Sequence, residues 1–127
     1  MISKNIQRKA IATALLAKGV GPRNCYRLGA VLFKKKQVIN AKTNTGKPAE
    51  ILREFTSFPL LHAETNCVVS HGFDNCSGLD LAIARVHKNG DLSMARPCET
   101  CMKVIKKVGI RRIYWTNWEG DWQCEKV

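Results

Sequence analysis

The stretch ARPCETCMKVIKKVGIRRIYWT, residues 95–116, predicts one helix that leads into one β-strand. Pro97 stands just ahead of the helix, where a proline is tolerated, and Gly109 ends it. The β-branched and aromatic residues that follow, from Ile110 to Thr116, favour a strand. Helices that alternate with strands are typical of α/β proteins, so this stretch indicates that class.

The rest of the chain continues the alternation on both sides. Ser3 can cap a first helix, and the lysines of KKK, residues 34–36, form a polar turn between two strands. The order α-β-β-α-β-α-β-β predicts a three-layer α/β/α sandwich around one five-stranded mixed sheet, whose last strand forms an antiparallel hairpin. The elements predicted outside residues 95–116 are helices at about 3–18 and 60–71 and strands at 26–33, 36–41, 79–88 and 122–127.

Length and composition are those of a small globular protein. A chain of 127 residues is long enough for a single domain, residues 1–127. The apolar run AIATALLA is followed at once by Lys18 and fits an amphipathic helix better than a signal peptide, and no run is long enough to cross a membrane. Six cysteines without a disulfide framework indicate a reduced, cytoplasmic protein. Four of them are expected to be free and buried: Cys25, Cys67, Cys76 and Cys124.

Positive charge is concentrated in the first part of the chain. Residues 1–50 hold 11 of the 21 lysines and arginines but only one of the 10 acidic residues, and the net charge of the chain is +11. This asymmetry predicts an anionic partner, either a phosphorylated small molecule or nucleic acid. A solvated basic surface that only keeps the protein soluble is an open alternative.

Two short motifs can bring metal ligands together. HAE contains His62 and Glu64, PCETC contains Cys98 and Cys101, and each motif starts a predicted helix. Ligands of α/β sheets bind in a crevice where helices begin, so both motifs can face one site. The two cysteines are three residues apart at the positive end of a helix, which favours thiolates facing one point. Two thiolates and an imidazole suit Zn²⁺ and leave a fourth position open, as in catalytic sites. Glu64 then serves as general base rather than ligand.

Each motif alone also has a simpler interpretation. Cys-x-x-Cys occurs in redox proteins, but a redox pair would give His62 and Glu64 no role. A structural zinc site would need a fourth ligand, which Cys67 or Cys76 could supply. His-x-Glu occurs by chance in many proteins. The two motifs together, each at a helix start with a strand between them, favour the catalytic zinc site.

From about Arg27 to Tyr114 the chain resembles the cytidine and deoxycytidylate deaminase superfamily. It is most similar to the deoxycytidylate (dCMP) deaminase-like branch, which includes small phage-type members. The resemblance is carried by GAV in the first strand, TNTGKP in the next loop, HAETN at the second helix, and RPCETCMKVIKKVGIRRIYW. H-x-E followed by P-C-x-x-C is the signature of zinc nucleobase deaminases.

The resemblance implies a cytidine deaminase-like fold and a zinc-dependent hydrolase. One zinc ion per chain would be held by His62, Cys98 and Cys101, and Glu64 would be the catalytic residue. Substrate contacts are implied for Asn44, Ala63, Asn66 and Pro97. Four aromatic residues could stack on a base, but core packing or hairpin stabilisation is the stronger expectation for each: Phe58, Trp115, Trp118 and Trp122.

The implied reaction is hydrolytic deamination of a cytosine nucleotide such as dCMP to the uracil nucleotide, with release of ammonia. One open alternative is a deaminase that acts on single-stranded DNA or on RNA, including tRNA-type adenosine, and grips the backbone with its basic first part. The other is a non-catalytic zinc- and nucleotide-binding module, which would have no need of Glu64. The resemblance to small single-domain deaminases also implies a homo-oligomer.

Overall fold

The computed structural model describes residues 2–19, 26–57 and 59–127. Cys25 and Phe58 lie outside these ranges. Within them the chain forms three α-helices, six strands and two short 3-10 helices, the latter at Glu50–Glu54 and Phe73–Asn75. The main elements are α1 (Lys4–Leu16), β1 (Arg27–Lys34), β2 (Gln37–Thr43), α2 (Ala63–His71), β3 (Asp80–Val86), β4 (Leu92–Ser93), α3 (Glu99–Lys107), β5 (Arg112–Thr116) and β6 (Trp122–Lys126).

The five predicted strands form the main sheet in the order β2-β1-β3-β5-β6. β3 and β5 run parallel, and the other neighbours run antiparallel, including the final hairpin of β5 and β6. The mixed sheet and its hairpin are therefore as predicted. The structure adds a sixth strand, β4, which pairs with the end of β3. Two residues are too few for an alternating pattern, so this strand could not be predicted from the sequence.

The two faces of the sheet pack against different helices. Along β1, Ala30 and Leu32 belong to the core cluster of α2 and α3, whereas Val31 and Phe33 belong to the cluster of α1. β3 alternates in the same way. Successive side chains of a strand point to opposite faces, so this alternation produces three layers, with α1 on one side and α2 and α3 on the other.

Helix α1 lies unusually close to β1. The Ser3 hydroxyl accepts a hydrogen bond from the Ile6 backbone N–H and caps the helix as expected. Further along, a Cβ atom on Gly29 would lie 2.3 Å from the Ala14 backbone nitrogen. Only glycine leaves room for the helix backbone here, which explains the glycine of the GAV motif.

The second helix begins three residues later than predicted. Leu60 forms an isolated antiparallel bridge with Pro48, and the Leu61 N–H donates to the Lys47 carbonyl, so the backbone before α2 is extended. This pairing ties the long loop after β2 to the start of α2. Among the described residues, no helix combines the length and apolar character that crossing a bilayer requires.

Candidate metal centre and active site

The two motifs meet because each supplies the N-cap of a helix. His62 caps α2 and Cys98 caps α3, and these helices lie on the same face of the sheet. The Thr65 hydroxyl accepts from the His62 N–H at 3.0 Å and donates to the His62 carbonyl at 3.2 Å. These two bonds fix the backbone that carries the imidazole.

Three side chains form a compact ligand set. The Nδ1 atom of His62 lies 3.2 Å from the Cys101 sulfur and 3.8 Å from the Cys98 sulfur, and all three ligand atoms lie within 4.8 Å of one another. Tetrahedral zinc with ordinary bond lengths separates its ligand atoms by roughly 3.5–3.8 Å. The spacing and the nitrogen–sulfur donor set both fit Zn²⁺, so His62, Cys98 and Cys101 are the candidate zinc ligands.

The two thiols differ in their acidity. Hydrogen bonds with Cys101 and His62 lower the pKa of the Cys98 thiol to about 3. Its hydrogen bond with Cys98, together with burial, raises the pKa of the Cys101 thiol. The lowered pKa of Cys98, at the positive end of α3, favours the thiolate form that binds metal.

Neither of the two cysteines considered as a fourth ligand joins this set. The Cys67 thiol donates to the Ala30 carbonyl at 3.2 Å, and burial raises its pKa to about 12. The Cys76 thiol donates to the Gly72 carbonyl at 3.3 Å. Within residues 2–19, 26–57 and 59–127, the ligand set thus has three protein members, which is typical of catalytic zinc rather than structural zinc.

Glu64 is enclosed beside the ligands. It sits in the first turn of α2, is 2% exposed, and places Oε1 3.9 Å from His62 Nδ1. Its other oxygen, Oε2, is buried and has no hydrogen-bond partner among the described residues. Burial raises the pKa of this carboxyl. An unpartnered buried carboxylate oxygen is costly, which indicates that the site keeps it for a ligand.

An open cleft of about 400 Å³ leads to this centre. His62 and Cys98 line the cleft and are exposed, whereas Cys101 and Glu64 are buried. The size suits a small organic ligand. The lining residues are Tyr26, Leu28, Asn44, His62, Arg85, Met94, Ala95, Arg96 and Cys98.

Two of the residues predicted to contact the substrate make hydrogen bonds to the backbone. Asn44 lines the cleft, but its Oδ1 accepts from the Leu28 N–H at 2.9 Å and its Nδ2 donates to the Tyr26 carbonyl at 2.7 Å. Asn66 donates to the Thr43 carbonyl at 2.8 Å. In this structure both asparagines hold the loop after β2 in place, and substrate contact by either one stays a prediction.

The remaining predicted positions lie either next to a metal ligand in sequence or in the final hairpin of β5 and β6. Ala63 follows His62 in the sequence and Pro97 precedes Cys98, and both residues are buried. Trp115 packs against the core of α2 and α3 and Trp122 against that of α1, as expected for core residues. Trp118 is 65% exposed in the β5–β6 turn.

Sequence reasoning assigned no site role to six cleft residues, of which three carry polar groups and three, Leu28, Met94 and Ala95, are apolar. Tyr26 directly precedes β1, Arg96 is the first residue of the quoted motif that contains Cys98, and Arg85 lies in β3. For Arg85 there was a signal: DLAIARV, residues 80–86, alternates between the two apolar faces of the sheet, and the arginine stands on one of them. A charge in such a row is rare without a function or a partner.

The comparison with protein families yields one match over most of the chain. The model of the cytidine and deoxycytidylate deaminase zinc-binding region matches residues 3–117. No curated protein is a significant match.

Solved structures share the fold. The dCMP deaminase from the cyanophage S-TIM5 in apo form is 22% identical with a TM-score of 0.59, over 92% of this chain and 86% of that one. The same enzyme in complex with dCMP and dUMP gives 19% identity and a TM-score of 0.58, over 93% and 85% of the two chains.

Proposed function

We propose that this chain, which belongs to the cytidine and deoxycytidylate deaminase family, hydrolyses the amino group of a cytosine nucleotide such as dCMP. The products are the uracil nucleotide and ammonia. The observation that carries this proposal is the buried Glu64 carboxylate, whose Oε2 has no partner among the described residues beside a set of three zinc-type ligands. A structural metal site or a binding module has no need of such a group.

Three residues would bind the metal, and Glu64 would transfer the protons. When bound by His62, Cys98 and Cys101, zinc supplies Lewis acidity that lowers the pKa of water towards about 7. Glu64 accepts one proton from the water that adds to C4 of the cytosine ring and passes it to N3. Glu64 then transfers the second water proton to the amino group, the C4–N4 bond breaks, and ammonia leaves. Both protons move through one carboxylate, so turnover depends on Glu64.

Support for a nucleotide substrate comes from size, charge and resemblance. The cleft of about 400 Å³ has room for a small ligand and is lined by two arginines, Arg85 and Arg96. The cyanophage enzyme that shares this fold was crystallised with dCMP and dUMP. HAETN and TNTGKP are similar to the dCMP-type motifs.

Ammonia release from a substrate panel tests the proposal. Zinc-loaded protein is incubated with dCMP, CMP, deoxycytidine, AMP and a single-stranded oligonucleotide that contains cytosine and adenine. We expect ammonia from dCMP at the highest kcat/KM. Absence of ammonia from every member of the panel would reject the proposed function.

A second candidate, deamination within a polynucleotide, is favoured by one surface. At the far end of the sheet from the cleft, two adjoining hollows of about 270 and 340 Å³ are lined by three lysines, Lys34, Lys35 and Lys36, and by the paired side chains of Arg111 and Asp80. Cations spread in this way suit a strand rather than one phosphate. Faster deamination of the oligonucleotide than of dCMP, with binding that falls steeply as salt rises, would establish this candidate instead.

A further inference from the structure

The core-facing row of β3 ends in a charged residue. Leu81 and Ile83 are fully buried in the core of α2 and α3. Arg85, two residues on, points to the same face, is only half-buried and lines the cleft together with His62 and Cys98. β3 thus places the Arg85 guanidinium in the wall of the candidate active site.

This guanidinium is held by an aromatic ring and not by an acid. The Arg85 Cζ atom lies 4.8 Å from the centroid of the Tyr26 ring, a cation–π contact. Its Nε is buried and has no hydrogen-bond partner among the residues that the structure describes. No ion pair of Arg85 occurs within those residues either.

The other arginine of the cleft is already paired. The Nε and Nη2 atoms of Arg96 donate to the two carboxylate oxygens of Glu125 at 2.6 and 3.1 Å. This pair occupies the Nε and Nη2 face of the Arg96 guanidinium and matches its charge, so Arg96 attracts a second anion less strongly than an arginine without a carboxylate partner does. Of the two cleft arginines that the structure describes, Arg85 is therefore the one without a carboxylate partner.

We propose that Arg85 binds the phosphate group of the substrate and so selects a nucleoside monophosphate over the unphosphorylated nucleoside. The inference rests on the proposed function and names the anion that the cleft recognises. Guanidinium donors form a planar fork that matches two phosphate oxygens. Stacking on Tyr26 orients the fork in advance, which reduces the entropy lost on binding. A nucleoside would leave the half-buried charge without an anion.

The affinity of the protein for reaction products tests phosphate recognition by Arg85 without depending on catalysis. The affinities of zinc-loaded protein for dUMP and for deoxyuridine are measured by calorimetry in the wild type, Arg85→Gln and Arg85→Lys. Lys107→Gln is the matched control, because it removes one positive charge at the end of α3 opposite to Cys98. Ammonia release from dCMP is measured on the same wild-type sample.

The expected pattern separates phosphate recognition from packing. Arg85→Gln should weaken dUMP binding by about 10–100-fold, the value of a charge-assisted hydrogen bond, and change deoxyuridine affinity by less than about twofold. Arg85→Lys should recover part of the loss, since it keeps the charge without the fork. Lys107→Gln should bind both ligands as the wild type does.

Three results would overturn the inference. One is equal affinity of the wild type for dUMP and deoxyuridine, which needs no variant to fold. Another is an equal loss for both ligands in Arg85→Gln, which indicates packing. The third is the same loss of dUMP affinity in Lys107→Gln, which indicates general charge. A wild type that releases no ammonia but prefers dUMP through Arg85 would refute the proposed function alone.

Discussion

Two acidic side chains are buried in this molecule to nearly the same extent, at opposite ends of the sheet. Asp80 opens β3 and is 3% exposed, and Glu64 opens α2 and is 2% exposed. Arg111 donates to both oxygens of Asp80, at 3.1 and 2.7 Å. Glu64 has one oxygen with no partner among the described residues.

The difference separates a structural carboxylate from a chemical one. A buried acid whose two oxygens both accept from an arginine stabilises its neighbourhood, and its charge is already matched within the fold. A buried acid that is left unpaired lowers stability and is tolerated where a ligand or a reaction uses it. Exposure alone would have ranked Asp80 and Glu64 as equals, whereas their partners distinguish them.

The largest expected effect comes from substitution of the unpaired acid, Glu64. Glu64→Gln keeps the shape of the side chain but cannot accept a proton. Turnover of dCMP should fall by at least about 10²–10⁴-fold, whereas the melting temperature should stay the same or rise, because a neutral amide is less costly to bury. Ammonia release and thermal unfolding measure the two quantities. A variant with near-normal turnover would refute the role of Glu64.

Metal content tests whether the unpaired carboxylate lies beside a true zinc site. Zinc-loaded wild type should contain one zinc ion per chain, and Cys98→Ala or Cys101→Ala should lose most of it, since two ligands hold zinc poorly. Cys67→Ala is the control, because its thiol donates to the Ala30 carbonyl and should leave the content unchanged. Elemental analysis of the purified proteins gives the answer. Full zinc content in both ligand variants would refute the assignment.

Substitution of the paired acid, Asp80, should have a smaller effect, and it should lower stability rather than turnover. Asp80→Asn weakens the paired hydrogen bonds to Arg111, so the melting temperature should fall by about 2–8 °C while turnover stays within about twofold of wild type. Thermal unfolding followed by circular dichroism and an ammonia assay measure both. Loss of turnover without loss of stability would reverse the roles assigned to the two acids.

An exposed pair should give the smallest effect. Arg96 lowers the pKa of the Glu125 carboxyl, mainly by hydrogen bonding. A carboxylate whose pKa is lowered in the folded state adds stability above its unfolded pKa and loses it as pH falls through the folded value. Glu125→Gln should therefore cost less than about 1 kcal/mol at pH 7 and nothing in strongly acid solution. Unfolding at several pH values measures the difference, and a difference that grows in acid would contradict it.

The sequence was sufficient to predict the metal centre because its ligands follow local rules. HAE and PCETC each stand at a helix start, and helix starts in an α/β sandwich face the same crevice. The boundaries of α2 were less well predicted, since the pairing of Leu61 with Lys47 depends on a loop 14 residues away in the chain.

The cleft residues were harder to predict than the metal ligands. Asn44, which is predicted to contact the substrate, lines the cleft, but its hydrogen bonds to Leu28 and Tyr26 follow from the three-dimensional course of the loop. The stacking of Arg85 on Tyr26 joins residues 59 positions apart, which no local pattern reveals. The homo-oligomer stays a prediction, because a single chain does not test it.

The positions of the ligands along the chain have a consequence for folding. His62 is 36 residues from Cys98 and 39 from Cys101, and the three side chains join the caps of two helices. A bound ion therefore acts as a cross-link that closes a long loop, much as a disulfide does. For a loop of this length the chain-entropy model assigns about 3–4 kcal/mol to such a closure. That is a large share of the stability of a small domain. Zinc binding would therefore raise the folded fraction of the protein as well as supply chemistry at the site.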